Sequence, residues 1–281
     1  LLILSQFFTV FKSYADFSAV WVRVCYIWEN YNSNEALSYM HDINPAARPE
    51  QSPEFAHAWF AHRSLSLKLH SLGLYPHILR SLTPARGGVI ADFGCGAGEL
   101  TSELASALAP SELTAIDVNP YLLQRCRDIC GDRVTTHCQD IASPSLLRSH
   151  SVDGLVCSNV VMHLSDDECA RLFKEIYRVL SPSRLAVVVL THPLWAQLNY
   201  GEQSKDSGPL NVVRNWGGVE LLQRYRSISD YRTLAHEAGL SITDESVIGI
   251  PEDAELSNRY REHTGHPIFF IAEVRIRDET S

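Results

Sequence analysis

The chain has no excess of positive charge and no run of basic residues: 24 Lys and Arg stand against 33 Asp and Glu, a net charge of −9 over 281 residues. Nucleic-acid affinity comes largely from phosphate neutralisation, so this balance argues against DNA or RNA as a partner. Long apolar runs are missing as well. The first eleven residues carry no charge, but Lys12, Asp16 and Arg23 interrupt the apolar stretch beyond them, and a membrane span needs about 20 apolar residues. A charged n-region and a small-residue cleavage site are absent, so neither a membrane segment nor a signal peptide is expected. There is no initiating Met, which suggests numbering that starts inside a longer product. Cysteine is sparse and odd in number, with seven residues in a chain too large to need staples; reduced thiols and a cytoplasmic setting are expected. Cys126, Cys130 and Cys138, with His137 adjacent, resemble a metal cluster by spacing alone. Two of these positions face a predicted sheet and two lie on a predicted helix, so no metal is expected. With 45% apolar and 20% charged residues, general disorder is excluded. The length suits one α/β domain with an N-terminal addition.

What is present centres on V-I-A-D-F-G-C-G-A-G-E-L, Val89 to Leu100. Val89 to Phe93 is short and apolar, the pattern of a buried parallel strand, and Asp92 places an acid near its end. Gly94, Gly96 and Gly98 permit a tight turn and a close ligand approach. Leu100, Leu104, Ala107 and Leu108 then recur at helical spacing until Pro110. Strand, glycine loop and helix make a nucleotide cradle. The dinucleotide fingerprint needs a glycine at its sixth position, and here Glu99 stands there. A carboxylate suits the helix N-terminus but repels a pyrophosphate. The cradle therefore suits a ligand without phosphates.

This stretch resembles motif I of the class I S-adenosylmethionine (SAM) methyltransferases, and the segments after it resemble that family in order. The resemblance implies that Asp92, Gly94, Cys95, Gly96 and Gly98 hold the cofactor. Leu113 to Asp117 reads as a second strand ending in an acid, 23 positions after Gly94. Asp117, with Val118 beside it, is expected to accept hydrogen bonds from both ribose hydroxyls; its competing reading is a cap for the helix Tyr121 to Cys130. After Val134 to Cys138, the resemblance implies that Asp140 meets the adenine amino group and the Ile141 backbone meets the ring. Asp140 read alone is a turn residue. Val152 to Ser158 is a fourth strand, and Asn159-Val-Val-Met-His163-Leu164 resembles the segment that faces the transferable methyl group. Thr191-His192-Pro193 and the block Tyr225 to Leu240 also resemble the family, although Tyr225-Arg226-Ser227 stands where relatives often carry His-Arg-Pro. That departure puts a role of the block in substrate recognition in doubt. The likeness covers roughly residues 75 to 281.

The expected architecture is α/β: a Rossmann-like, seven-stranded, mostly parallel sheet whose last strand is antiparallel, plus an N-terminal helical extension. Helices are expected at 167–180 and 230–238, a turn at Ser181-Pro182-Ser183, and strands at 185–190, 240–250 and 268–276. Residues 71–281 form the catalytic domain, with 193–226 as a lid or substrate insertion, of which 193–216 lacks a strong period. Residues 1–70 form the extension, with 44–53 as a linker and further helices from Glu54. Phe7, Val10, Tyr14, Phe17, Trp21, Val24, Trp28 and Tyr31 alternate by three and four, a large apolar stripe. Such a stripe packs on its own domain or marks a homo-oligomer interface; Val20 to Trp28 also has strand propensity.

For methyl transfer, a nucleophile must be held in line with the methyl carbon, and a hydroxyl or protonated amine also needs a proton acceptor. His163 is the first candidate base, with a purely structural imidazole as the competing reading. Tyr14 and His192 are the candidate substrate contacts, with Tyr31, His57 and His62 weaker. The expected function is methylation of a small molecule, such as a secondary metabolite (natural product), with SAM as cofactor. The alternatives are an RNA or protein methyltransferase, or a fold relative that uses SAM to guide another step such as cyclisation.

Overall fold

A computed structural model describes residues 49–200, 209–216, 218–261 and 265–277, without the side chains of residues 62–65 and 216. The aromatic stripe, including Tyr14 and Tyr31, and most of the expected linker lie outside the described residues.

Helix α1 (Pro53–Leu69) starts at Ser52, whose hydroxyl accepts the Phe55 N–H, with Pro53 in the first turn. Its chain continues through a π-helical turn, His70–Leu74, into α2 (Tyr75–Ser81). The helical run passes through residue 70, where the extension was expected to end. Then come β1 (Val89–Phe93), α3 (Glu99–Leu108), β2 (Glu112–Asp117), α4 (Pro120–Cys130), β3 (Thr135–Cys138) and β4 (Val152–Ser158). The second half comprises α5 (Asp166–Val179), β5 (Leu180–Thr191), α6 (Pro193–Tyr200), β6 (Leu210–Trp216), β7 (Val219–Tyr225), α7 (Ile228–Glu237), β8 (Leu240–Ile248), α8 (Ala254–Arg259) and β9 (Phe269–Ile276).

Seven strands form one sheet in the order β3-β2-β1-β4-β5-β9-β8, with β9 antiparallel to both neighbours. The expected architecture is the observed one. Alternate residues of the central strands feed two cores. Phe93, Leu155, Cys157, Val188 and Leu190 pack beneath α5 and α7, while Ile90, Val156, Val187 and Val189 pack beneath α2 and α3. Each fully buried aliphatic side chain contributes about 1.5–3 kcal/mol, and strands covered on both faces explain the unbroken apolar runs. The strand order reverses between β1 and β4, which opens a crevice at their carboxyl ends, the general ligand position in such sheets.

Three local expectations are revised. The Ser181-Pro182-Ser183 turn is a bulge within β5: Leu180 pairs with Val152 and the next partners are Leu185 and Gly154, with Ser183 at φ +63°. Helix α7 begins two residues earlier than expected, because Ser227 and Asp230 form a capping box. The segment read as aperiodic, 193–216, contains α6 and β6, and β6 pairs antiparallel with β7 in a separate hairpin. The inner face of β7 is Val219, Leu221, Gln223 and Tyr225; the buried Gln223 breaks the apolar alternation that signals a strand.

Candidate active site

The glycine loop takes its shape from contacts behind it. Gly94 sits at φ +73°, and a Cβ there would come within 2.2 Å of a Val160 methyl. Gly98 sits at φ +88°, and a Cβ would meet the Cys126 backbone at 2.7 Å, so α4 packs directly on the loop. The loop is tied to β2 as well: the Gly94 and Cys95 N–H groups donate to Ile116 O, and Gly96 N–H donates to Asp117 Oδ2 at 2.8 Å. Glu99 opens α3, where its charge suits the helix dipole.

Two buried carboxylates lie at this loop. Asp92 accepts the Thr101 hydroxyl at 2.7 Å. Burial raises its pKa to about 7, the Thr101 bond opposing and the Asp117 charge adding. Asp117 accepts Asn119 N–H on Oδ1 at 2.8 Å besides the Gly96 N–H. Burial raises its pKa too, against the pull of these backbone bonds. Each Asp117 oxygen retains acceptor capacity for a ligand hydroxyl.

Asp92, Gly94, Cys95, Gly96, Asp117, Val118, Ile141, Asn159 and His163 come together along one cleft. Gly98 and Asp140 stand behind it. Asp140 Oδ1 accepts Ala142 N–H at 2.9 Å in a local turn, and its neighbours Gln139 and Ile141 border the cleft. His192 lies apart: its Nδ1 accepts Leu194 N–H at 3.1 Å at the start of α6, and it lines neither this cleft nor the chamber beside it. His57 is exposed on α1. Cys95, Cys126 and Cys130 pack as neutral thiols under the loop. A hydrogen bond with Cys126 favours the Cys95 thiolate, but burial and the two carboxylates push this thiol up to about 12. Among the described residues no His, Cys, Asp and Glu side chains group to hold a metal.

The cleft opens into a second chamber of about 610 Å³, and Phe55, Trp59, His70, Asn159 and His163 line both. Asn159 sits at φ +58°, in the left-handed region that asparagine enters more readily than most residues. Its buried Oδ1 and the buried Nδ1 of His163 have no hydrogen-bond partner among the described residues. Glu50 Oε1 approaches that Nδ1 only to 3.9 Å, beyond hydrogen-bond reach. Burial, with the Arg214 charge adding, lowers the His163 pKa to about 4, so the ring is neutral at pH 7. The turn that carries it, Val161–His163, is fastened by Arg226, whose guanidinium donates to Val161 O, Leu164 O and Asp166 Oδ1.

Several of these groups escaped the sequence reading. Glu50, in the short turn before α1, and Phe55 and Trp59 on α1 reach the cleft and carry no local signal. Asn119 pins that segment by donating to Glu50 O and Ser52 O while capping α4; the Asn-Pro pair before a helix was a signal for the cap alone.

Residues 90–183 match the family model described as a methyltransferase domain. Phosphoethanolamine N-methyltransferase 1 of Triticum aestivum is 30% identical over 111 residues, 38% of this chain. The chain spans only 22% of the length of that relative. A putative SAM-dependent methyltransferase from Listeria monocytogenes superposes with a TM-score of 0.59 at 14% identity, over 76% of this chain and 100% of its own. The 1,6-didemethyltoxoflavin-N1-methyltransferase of Burkholderia thailandensis, solved with 1,6-didemethyltoxoflavin and S-adenosylhomocysteine (SAH), gives 0.58 at 16% identity over 84% and 93%. Residues 90–183 thus resemble a methyltransferase domain, and the fold is the one shared by the class I SAM-dependent methyltransferases. The cofactor of that class is S-adenosyl-L-methionine, and a bare glycine turn flanked by two buried acids fits a cationic adenosyl ligand.

Proposed function

We propose that the protein transfers a methyl group from SAM to a small-molecule acceptor, and that the acceptor occupies the 610 Å³ chamber. The observation that carries this is the junction of the two cavities. Unpartnered Asn159 Oδ1 and His163 Nδ1 are buried where they meet, and a chamber of this volume is in the range of small-ligand sites. It supports a small molecule over an RNA or protein acceptor, as does the net charge of −9.

Bound in the cleft, the cofactor supplies an electrophilic methyl carbon. The chain's own residues do the rest. Gly94, Cys95 and Gly96 offer close backbone approach, Asp92 and Asp117 provide negative charge for the cation and acceptors for ribose, and Ile141 flanks the adenine, with Asp140 behind it shaping the turn. Asn159 orients the acceptor, and neutral His163 takes its proton when the nucleophile is a hydroxyl or N–H. Residues 193–226 act as the lid. Secondary metabolism is the expected setting, in the cytoplasm. The stripe from Phe7 to Tyr31 is proposed to join copies of the chain, which sedimentation of the full chain and of one beginning near Pro53 will test.

Calorimetry with SAH, followed by methyl-transfer assays from labelled SAM, tests the reading. Micromolar SAH binding and incorporation of label into small acceptors are expected. SAH binding with no transfer to any acceptor class would favour the cofactor-guided, non-methylating alternative. Absence of binding would remove the proposal.

A further inference from the structure

Gln223 is out of keeping with the face that carries it. Val219, Leu221, Gln223 and Tyr225 point inward from β7, and Gln223, 1% exposed, stands where the alternation calls for an apolar side chain. A primary amide offers two N–H donors and a carbonyl acceptor, and leaving such groups unpaired in a buried position is costly. The Gln223 side chain has one hydrogen bond among the described residues: its Oε1 accepts the Tyr225 hydroxyl at 2.7 Å. Tyr225 is itself braced. Its ring stacks on Tyr200 at 5.7 Å and 22°, and Arg214 lies 5.1 Å from the centre of the Tyr200 ring. The carbonyl end of the amide is thereby held before any ligand arrives, which reduces the ordering cost of binding. The N–H end is left for whatever fills the chamber that Gln223 lines.

Asn159 poses the complementary problem at the junction of the cavities. Its buried Oδ1 has no partner among the described residues, and the residue lines both spaces. The chamber therefore has an unmatched donor on the hairpin and an unmatched acceptor at the junction. Trp195, Tyr260 and Phe269 line it as well, with Trp195 edge to face on Tyr260 at 5.7 Å. Aromatic walls favour a flat partner. A ligand that satisfies both amides carries a carbonyl oxygen in one place and an O–H or N–H in another.

We infer that the substrate is a flat, conjugated molecule whose carbonyl oxygen is read by Gln223 Nε2 and whose hydroxyl or N–H group lies at Asn159. This rests on the methyl-transfer reading of the site and narrows the substrate class. Gln223 is a specificity-determining residue in it and takes no part in the chemistry.

The test is calorimetry at neutral pH on the full chain, with and without saturating SAH. It compares 6-acetyl-2-naphthol with 6-isopropenyl-2-naphthol, which has the same shape with a methylene in place of the carbonyl oxygen. The acetyl compound is expected to bind about fivefold or more tightly, as a hydrogen bond to an otherwise unpaired buried amide requires, and Gln223→Met should bring the two to within about twofold. A merely structural glutamine would lower both affinities and leave their ratio unchanged. Equal affinities in the wild type, a preference for the isopropenyl compound, no binding of either, or an undiminished preference in Gln223→Met would overturn the inference. Should Gln223→Met fail to fold, Gln223→Leu, which continues the apolar face of β7, takes its place. SAH is titrated separately. If SAH fails to bind, the methyl-transfer reading falls; if SAH binds and the carbonyl earns no preference, only the inference about Gln223 and the substrate class falls.

Discussion

At the scale of single residues, His163 and Gly94 make opposite kinds of demand on the chain. His163 has an unpartnered buried nitrogen at the junction of the cavities, so replacing it removes chemistry and leaves little unsatisfied. His163→Gln is expected to lower kcat by about 10²-fold, a typical loss for a general base, with SAH affinity changed less than about twofold. Equal losses in both, read by single-turnover assays and calorimetry, would identify a structural imidazole instead. In the empty chamber a pKa of about 4 makes His163 a weak base. Gly94 is different, because a methyl group at 2.2 Å from Val160 cannot be accommodated without moving β1 or the turn after β4. Gly94→Ala is expected to destabilise by about 2 kcal/mol or more, since overpacking and a positive φ combine, and to weaken SAH binding in the same variant. Chemical denaturation and calorimetry together check it.

At the scale of elements, the cleft and the chamber were legible to different degrees. Strand β1, the glycine loop and α3 could be read because the needed signals sit within twelve consecutive residues, and Asp117 stands at the end of the next apolar run. The chamber could not be read that way. Its walls come from α1, α6, the β6–β7 hairpin and α8, which approach one another only through the fold. The hairpin itself was hidden by Gln223 on its inner face and Val213, 65% exposed, on the other strand. Arg226 shows what that hairpin does for the site. At 3% exposure it fastens the end of β7 to the His163 turn through two carbonyls and Asp166. Because Asp166 is largely exposed, its loss of a partner is cheap, and the cost of removing Arg226 comes from the two buried carbonyls. Arg226→Met is expected to cost about 2 kcal/mol and to lower kcat while sparing cofactor affinity. Arg226→Lys should recover part of the stability and little of the rate, since an ammonium cannot span three acceptors in one plane. Thermal melts with steady-state kinetics on both variants will show whether the turn is positioned from this side.

Across the whole molecule, the burial that shapes the site also sets how the ligand-free protein responds to pH, and from two directions. His70, turned into both cavities from the π-helical turn, is lowered from 6.5 to about 4 by burial, as is His163. For a depressed group the unfolded chain binds the proton first, so its stability contribution is complete above pH 6.5 and is lost as pH falls toward 4. For His70 alone the loss reaches at most about 2 kcal/mol at pH 5, less to the extent that water in the chamber reaches the ring. Asp92 acts in the opposite sense. Its pKa is raised to about 7, so the folded state holds a proton that the unfolded chain releases, and stability falls as pH rises through 7; Asp117 is shifted the same way. His70→Phe, which keeps a ring against Tyr75 and Phe269, should therefore raise the melting temperature relative to wild type at pH 5 and leave it nearly unchanged at pH 8. Asp92→Asn should give a gain that grows from pH 5 to pH 8. The ammonium of the SAH amino-acid end is a cation that a carboxylate at this loop can pair with, so saturating SAH should stabilise the wild type more at pH 8 than the Asp92→Asn variant. Melting curves of the three proteins at the two pH values, with and without SAH, separate these contributions: parallel curves would mean that neither the imidazole nor the carboxylate titrates differently in the folded chain.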